Sequence, residues 1–124
     1  MAKLFSICMV MFLAMSTSAQ DSTVVRIAKL QVDPNQLEQY KALLKEEIEA
    51  TIRLEPQVYT LFAVADKNNP AHITVFETYA SEAAYRSHIQ TPHFLKYKTS
   101  TKDMVKSLDL SEHQPIMMES NIFR

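Results

Sequence analysis

The sequence predicts a single α+β domain with a ferredoxin-like β-α-β-β-α-β order and an antiparallel sheet. Three observations carry this reading. Short runs rich in β-branched and aromatic residues alternate with stretches of helical period. All five prolines, at 34, 56, 70, 92 and 115, fall at the boundaries of such segments. The chain has 124 residues, enough for one core and not for two.

Taken in order, Thr23 to Val32 reads as the first strand. Asp33-Pro34 pairs an N-cap with proline at the first helical position. Leu37, Tyr40, Leu44, Ile48 and Ile52 then form one apolar stripe on a helix from about Pro34 to Leu54. Glu38, Lys41, Lys45, Glu49 and Arg53 occupy its solvent face, and Glu55-Pro56 stops it. Val58 to Ala65 is the second strand and His72 to Tyr79 the third. The loop Asp66-Lys67-Asn68-Asn69-Pro70 joins them as an antiparallel hairpin. Ser81 caps a helix to about Gln90, and Thr91-Pro92 opens a further helix to about Leu108. Pro115 to Ser120 is the expected fourth strand. Tyr59, Leu61 and Ala63 alternate with Val58, Thr60, Phe62 and Val64, and Ile73, Val75 and Tyr79 with Thr74 and Phe76. Both sheet faces are therefore apolar, while this topology covers only one with helices. A second copy is the simplest cover for the other.

The first twenty residues differ from the rest. Lys3 precedes an uncharged, mostly apolar run from Leu4 to Met15, and Thr17-Ser18-Ala19 supplies small residues at −3 to −1. The run is shorter than a membrane span needs. The expectation is a cleaved export signal over 1–19, a mature domain over 20–124, and a periplasmic location with no membrane attachment after cleavage. Cleavage lowers Lys plus Arg from 13 to 12 against 14 acids, a mature charge of −2, which offers no footprint for nucleic acid. Cys8 leaves with the signal, so disulfides, cysteine nucleophiles and thiolate metal sites are excluded.

There is no glycine where average usage would place about nine. Dinucleotide loops, P-loops, nucleophile elbows and EF-hand loops all need it for positive φ or close backbone approach, and all are excluded.

Glu55-Pro56, Asp66, Asn69-Pro70, Phe76-Glu77-Thr78-Tyr79, Ser81-Glu82-Ala83-Ala84, His88 and Thr91-Pro92-His93-Phe94 follow one family pattern in order and spacing. Over about residues 24–120 the chain resembles the antibiotic biosynthesis monooxygenase domain of the dimeric α/β-barrel group, which includes quinol monooxygenases. The segment Glu77 to Phe94 is its specific part. The resemblance implies a homodimer with its sheets face to face and a cavity between sheet and helices in each subunit. It implies oxygenation of a small aromatic or quinol by O₂ with no cofactor. A relative with a similar Pro-His-aromatic segment isomerises phosphorylated autoinducer-2. Haem-degrading relatives use Trp, which this chain lacks, and Tyr79 stands where many members have an aromatic residue. Gln57 and Asn35 replace frequent family glycines, Leu61 a frequent Tyr and His72 a frequent Arg. The backbone at Gln57 is expected to keep φ negative.

Cofactor-free oxygenation asks for a base that ionises the substrate in a dry pocket, since a phenolate can pass an electron to O₂ directly. His88 and His93 are the candidates, the latter in the first turn of a helix, where backbone dipoles favour the neutral ring. Glu77, an acid in an apolar strand, would orient one of them or pair with Arg or backbone. Tyr59, Tyr79, Phe94 and Tyr97 are candidate substrate contacts, with Phe62 a further aromatic. No metal is expected: His88 and His93 lack the i, i+4 spacing of a helical zinc pair. His72 and His113 read as surface residues, and Met104, Met117 and Met118 as packing. A proton-shuttling isomerase of a small dicarbonyl or hydroxyketone and a non-catalytic ligand-binding dimer are the alternative functions.

Overall fold

The computed structural model describes residues 23–123. The export signal and its cleavage site lie outside the described residues. Seven main elements follow in order: β1 (Val24–Val32), α1 (Leu37–Leu54), β2 (Val58–Ala65), β3 (His72–Tyr79), α2 (Glu82–His88), α3 (Pro92–Thr101) and β4 (Val105–His113). All strand pairs are antiparallel and the sheet order is β2-β3-β1-β4, the ferredoxin-like arrangement. Among the described residues no helix is long and apolar enough to cross a membrane.

Punctuation without glycine works as the prolines and caps imply. Asp33 accepts from the Asn35 amide at 3.0 Å and starts a single 3-10 turn, Pro34–Gln36, before α1. Asp66 accepts from the amides of Asn68 and Asn69 at 2.7 and 3.0 Å and shapes the β2–β3 loop. Ser81 and Thr91 accept from Ala84 and Phe94 and cap α2 and α3. No described residue has positive φ, so Gln57 and Asn35 fill frequent family glycine positions without leaving the allowed region.

Three sequence expectations are corrected. The last helix ends at Thr101, not Leu108, and the fourth strand is Val105–His113, not Pro115–Ser120. Leu108 and Leu110 alternate with Ser107, Asp109 and Ser111 there, a short period of two that begins after the three-residue turn Lys102 to Met104. Met117 and Met118 are exposed, whereas Met104 is buried in the core. Of the expected α1 stripe, Tyr40 and Leu44 are buried and Leu37 and Ile48 pack partly buried beside them, but Ile52 is half exposed and the buried row continues through Glu47 and Thr51. Burying Glu47 and Thr51 is tolerable because the Thr51 hydroxyl donates to Glu47 at 2.8 Å.

The main core lies between the sheet and α1 and α3. Ala28, Leu30, Val32, Ile73 and Val75 meet Tyr40, Leu44 and Met104 there. The hydroxyls of Tyr40 and Tyr97 hydrogen-bond at 2.5 Å and join α1 to α3. The opposite face carries Ile27, Phe62, Val64, Thr74 and Phe76 by register and alternation. Phe62, Val64 and Phe76 are exposed on it.

Candidate functional site

Two pairs of elements aim polar groups into the helix-side core. On α1, Glu47 and Thr51 are one turn apart, and Glu55, the C-cap, is one turn further. This polar i, i+4, i+8 row sits beside the apolar stripe and faces α2 and α3. At the α2–α3 junction, the Thr91 hydroxyl donates to the His88 carbonyl at 2.8 Å. That ties the end of α2 to the cap of α3 and sets His88 and His93 side by side, with ring centroids 6.4 Å apart.

Glu55 joins the two rings. Its Oε2 lies 3.0 Å from His88 Nδ1 and 2.7 Å from His93 Nε2. The other side of the His88 ring meets Glu47: Nε2 is 3.4 Å from Glu47 Oε1. His88 is only 2% exposed. A buried imidazole thus has a carboxyl group at each nitrogen. Each ring nitrogen therefore faces a carboxyl group with which it can exchange a proton.

A cleft of about 90 Å³ opens beside this group. Its polar lining includes Glu47, Glu77 and His88, and its aromatic lining Tyr85, Phe94 and Tyr97. Val75 and Leu61 form part of the sheet wall, and half-exposed Leu108 and Leu110 stand at the β4 side. Phe94 packs edge-on against His88 at 5.0 Å between centroids. Arg26 is buried and holds α2 and β4 to β1, through Glu82 at 3.3 Å and Glu112 at 2.8 Å. Its guanidinium lies 3.7 Å from the Tyr85 ring centroid, fixing that ring at the cleft.

Glu77 faces the cleft, but its hydrogen-bond partner is the Tyr79 hydroxyl, not a histidine. The carboxyl groups in contact with the His88 and His93 rings are those of Glu55 and Glu47. Tyr79 is fully buried behind Glu77 and is not part of the cleft lining. Phe94 and Tyr97 line the cleft as expected. His93 lies behind His88 and outside the lining. Tyr59 is 52% exposed and also outside it. The register explains Tyr59: Val58 pairs with Tyr79 and Thr60 with Thr78, so Tyr59 is an extra residue in a bulge. The bulge resets the alternation and puts Leu61, opposite Glu77, on the helix side. Phe62 points to the other face. His72 and His113 are exposed, as expected for surface residues.

Burial pushes the Glu47 carboxyl above the ordinary carboxylate value, with the Thr51 hydroxyl and His88 opposing it. Burial pushes Glu77 up as well, against the Tyr79 hydrogen bond and the nearby His88. A carboxyl whose pKa is raised on folding keeps a proton that the unfolded chain releases. Stability is then greatest below the unfolded value, near 4.5, and falls as pH rises through the folded one. Glu47→Gln keeps the acceptor for Thr51 and removes the titration. The fall in unfolding free energy from about pH 4.5 to about pH 8 is expected to be shallower in this variant than in the wild type. Urea denaturation across that range measures it, and an unchanged slope would refute the assignment.

Glu55, His88 and His93 also form a group whose donor atoms lie within 4.8 Å of one another, the spacing of a metal site. Here the three satisfy each other by hydrogen bonds. Glu47 and Glu55 were absent from the sequence-derived site. The signal that could have found them is the Glu47, Thr51, Glu55 row, three polar residues at helical spacing along a packed face.

The family profile of antibiotic biosynthesis monooxygenase matches residues 23–100. A crystal structure from Bacteroides thetaiotaomicron, whose name assigns it to that family, is 52% identical. The match covers 81% of this chain and 94% of that one, with a TM-score of 0.78. A Lactobacillus acidophilus protein named as a monooxygenase is 32% identical over 77% of this chain and 46% of its own, with a TM-score of 0.73. Rv0793 from Mycobacterium tuberculosis, 24% identical, shares the fold over 80% of this chain and all of its own at a TM-score of 0.71. A comparison with curated proteins found no match. The matched segment holds β1 through most of α3, and with it Glu47, Glu55, Glu77, His88 and His93: the chain belongs to the antibiotic biosynthesis monooxygenase family.

Proposed function

We propose that this protein is an exported, homodimeric monooxygenase that oxidises a small phenol or quinol with O₂ and no prosthetic group. The carrying observation is the His88 ring, buried at an aromatic-lined cleft with a carboxyl at each nitrogen. Such a group can take the substrate's hydroxyl proton in a water-poor setting. The phenolate left behind is electron-rich enough to reduce O₂. One oxygen atom becomes a ring carbonyl and the other leaves as water, so a hydroxylated ring and O₂ give a quinone and water. The substrate supplies all four electrons, and no separate reductant is needed. Tyr85, Phe94 and Tyr97 supply the ring-binding surface, and His88 with its carboxyl partners supplies base function.

Export through the 1–19 segment and the periplasmic location belong to the same reading, as does the dimer through the exposed Phe62, Val64 and Phe76 face. The test is oxygen uptake by residues 20–124 on a panel of quinols and hydroxylated naphthoquinones. Uptake with quinone formation is expected, reduced at least about 10²-fold in His88→Ala. No uptake, or uptake indifferent to His88, would sink the proposal. A second reading draws on the two buried acids, Glu47 and Glu77, both lining the cleft. Two such groups suit proton transfer within a hydroxyketone, and solvent deuterium entering that substrate without O₂ use would replace the first reading.

A further inference from the structure

The base group spans a wall rather than sitting at one surface. Glu47 lines the cleft, but Glu55 does not. Glu55 instead lines a separate surface depression with Leu54, Pro56, Gln57, Ala84 and Ser87. Between the two lies His88, in contact with Glu47 through Nε2 at 3.4 Å and with Glu55 through Nδ1 at 3.0 Å. From this juxtaposition we propose that Glu47, His88 and Glu55 form a proton relay through the wall, with Glu47 as the residue that meets the substrate and Glu55 as the exit. This rests on the phenol-oxidising reading and adds to it a route for the proton.

The transfer balances with no charge left in the wall. The substrate O–H bond breaks and its proton goes to Glu47. Glu47 hands a proton to His88 Nε2, and His88 hands its Nδ1 proton to Glu55. Glu55 releases a proton to water in the outer depression. The electron pair stays on the substrate oxygen, and the His88 ring must turn over between transfers so that Nε2 is again free to accept.

The surroundings favour this direction. His88 has Glu47 and Glu55 of α1, His93 and Phe94 of α3, and Tyr79 of β3 around it, with Glu77 electrostatically coupled to it. His93 holds the same Glu55 oxygen at 2.7 Å and is the positioning residue of the exit. Thr51 holds Glu47 from below at 2.8 Å. The Glu55 side chain is 15% exposed and that of Glu47 only 6%, so solvent reaches the chain from one end. A base facing the cleft alone would have to discharge its proton past the bound substrate.

The experiment uses 4-nitrophenol as a chromophoric probe, mixed with residues 20–124 in a stopped-flow spectrometer, with circular dichroism confirming that each variant is folded. The wild type is expected to ionise the bound probe. Glu47→Gln should leave it neutral. Glu55→Gln should ionise it about 10²-fold more slowly, and added imidazole should restore the rate by serving the outer depression. His93→Gln should slow ionisation less and shift its pH profile. Wild-type ionisation rates in Glu55→Gln would overturn the relay. So would restoration of Glu47→Gln by imidazole to the same extent, which would route the proton through the cleft mouth. The two proposals fail separately. Oxygen uptake on quinols with an unaffected Glu55→Gln sinks the relay alone, and relay-dependent ionisation without any oxygen uptake sinks the oxygenase reading alone.

Discussion

Phe62→Lys combined with Phe76→Lys is expected to break the dimer we propose and leave a monomer. Phe62 is 63% exposed and Phe76 39%, and they are paired neighbours on the face of the sheet that no helix among the described residues covers. Two phenylalanines and Val64 exposed side by side form the apolar patch on which the proposed interface rests. A stable interface buries about 800 Å² on each partner, and its central aromatic residues each contribute about 2 kcal/mol or more. Two-fold symmetry doubles the effect, since each substitution appears on both subunits. The dissociation constant should rise by at least about 10³-fold, and light scattering at micromolar concentration should show a monomer. The substituted positions face away from the helix-side core, so the monomer should keep its circular dichroism spectrum. A wild type that already scatters as a monomer would refute the dimer.

Much of the fold was legible because local signals agree along most of the chain. Asp33-Pro34, Ser81 and Thr91-Pro92 mark helix starts by capping chemistry that needs no tertiary context. The hairpin loop is legible in Asp66, whose side chain replaces what glycine does elsewhere. The errors come where two periods compete or a packing partner decides. Val105 to His113 carries apolar residues only at Val105, Leu108 and Leu110 and follows the helix after a three-residue turn, so a helical reading extends over both. The phase of α1 turned on Glu47 and Thr51, which are buried only because they satisfy each other and meet His88. No rule of hydrophobic periodicity ranks a glutamate as core.

The site was legible in parts for the same reason. His88 and His93 were singled out by residue type, but their partners come from about forty residues upstream on α1. Glu77 was singled out as an acid among apolar neighbours; it lines the cleft and bonds to a tyrosine two residues away. Tyr59 was misplaced by one bulge, which reverses every face assignment on its N-terminal side.

Alanine at His88 should be the most damaging single substitution in the helix-side half of the molecule. The ring separates two carboxyl groups inside the fold. Removing it leaves Glu47 with the Thr51 hydroxyl alone and Glu55 with His93 alone, and opens a hole edged by Phe94 and Tyr79. Loss of a buried polar partner costs about 1 to 3 kcal/mol for each orphaned group. The expected destabilisation is about 3 kcal/mol by urea denaturation, together with the loss of oxygen uptake. Two further variants separate stability from chemistry. His88→Gln can reach one carboxyl and fill part of the hole, so it should recover about 1 kcal/mol while remaining inactive. His88→Ala with Glu47→Leu removes the orphaned acid and should be more stable than His88→Ala, a non-additive gain that marks the two as partners. Should His88→Ala unfold within about 0.5 kcal/mol of the wild type, water would be satisfying both carboxyls, and the cleft wall would be too open to keep a substrate phenolate dry.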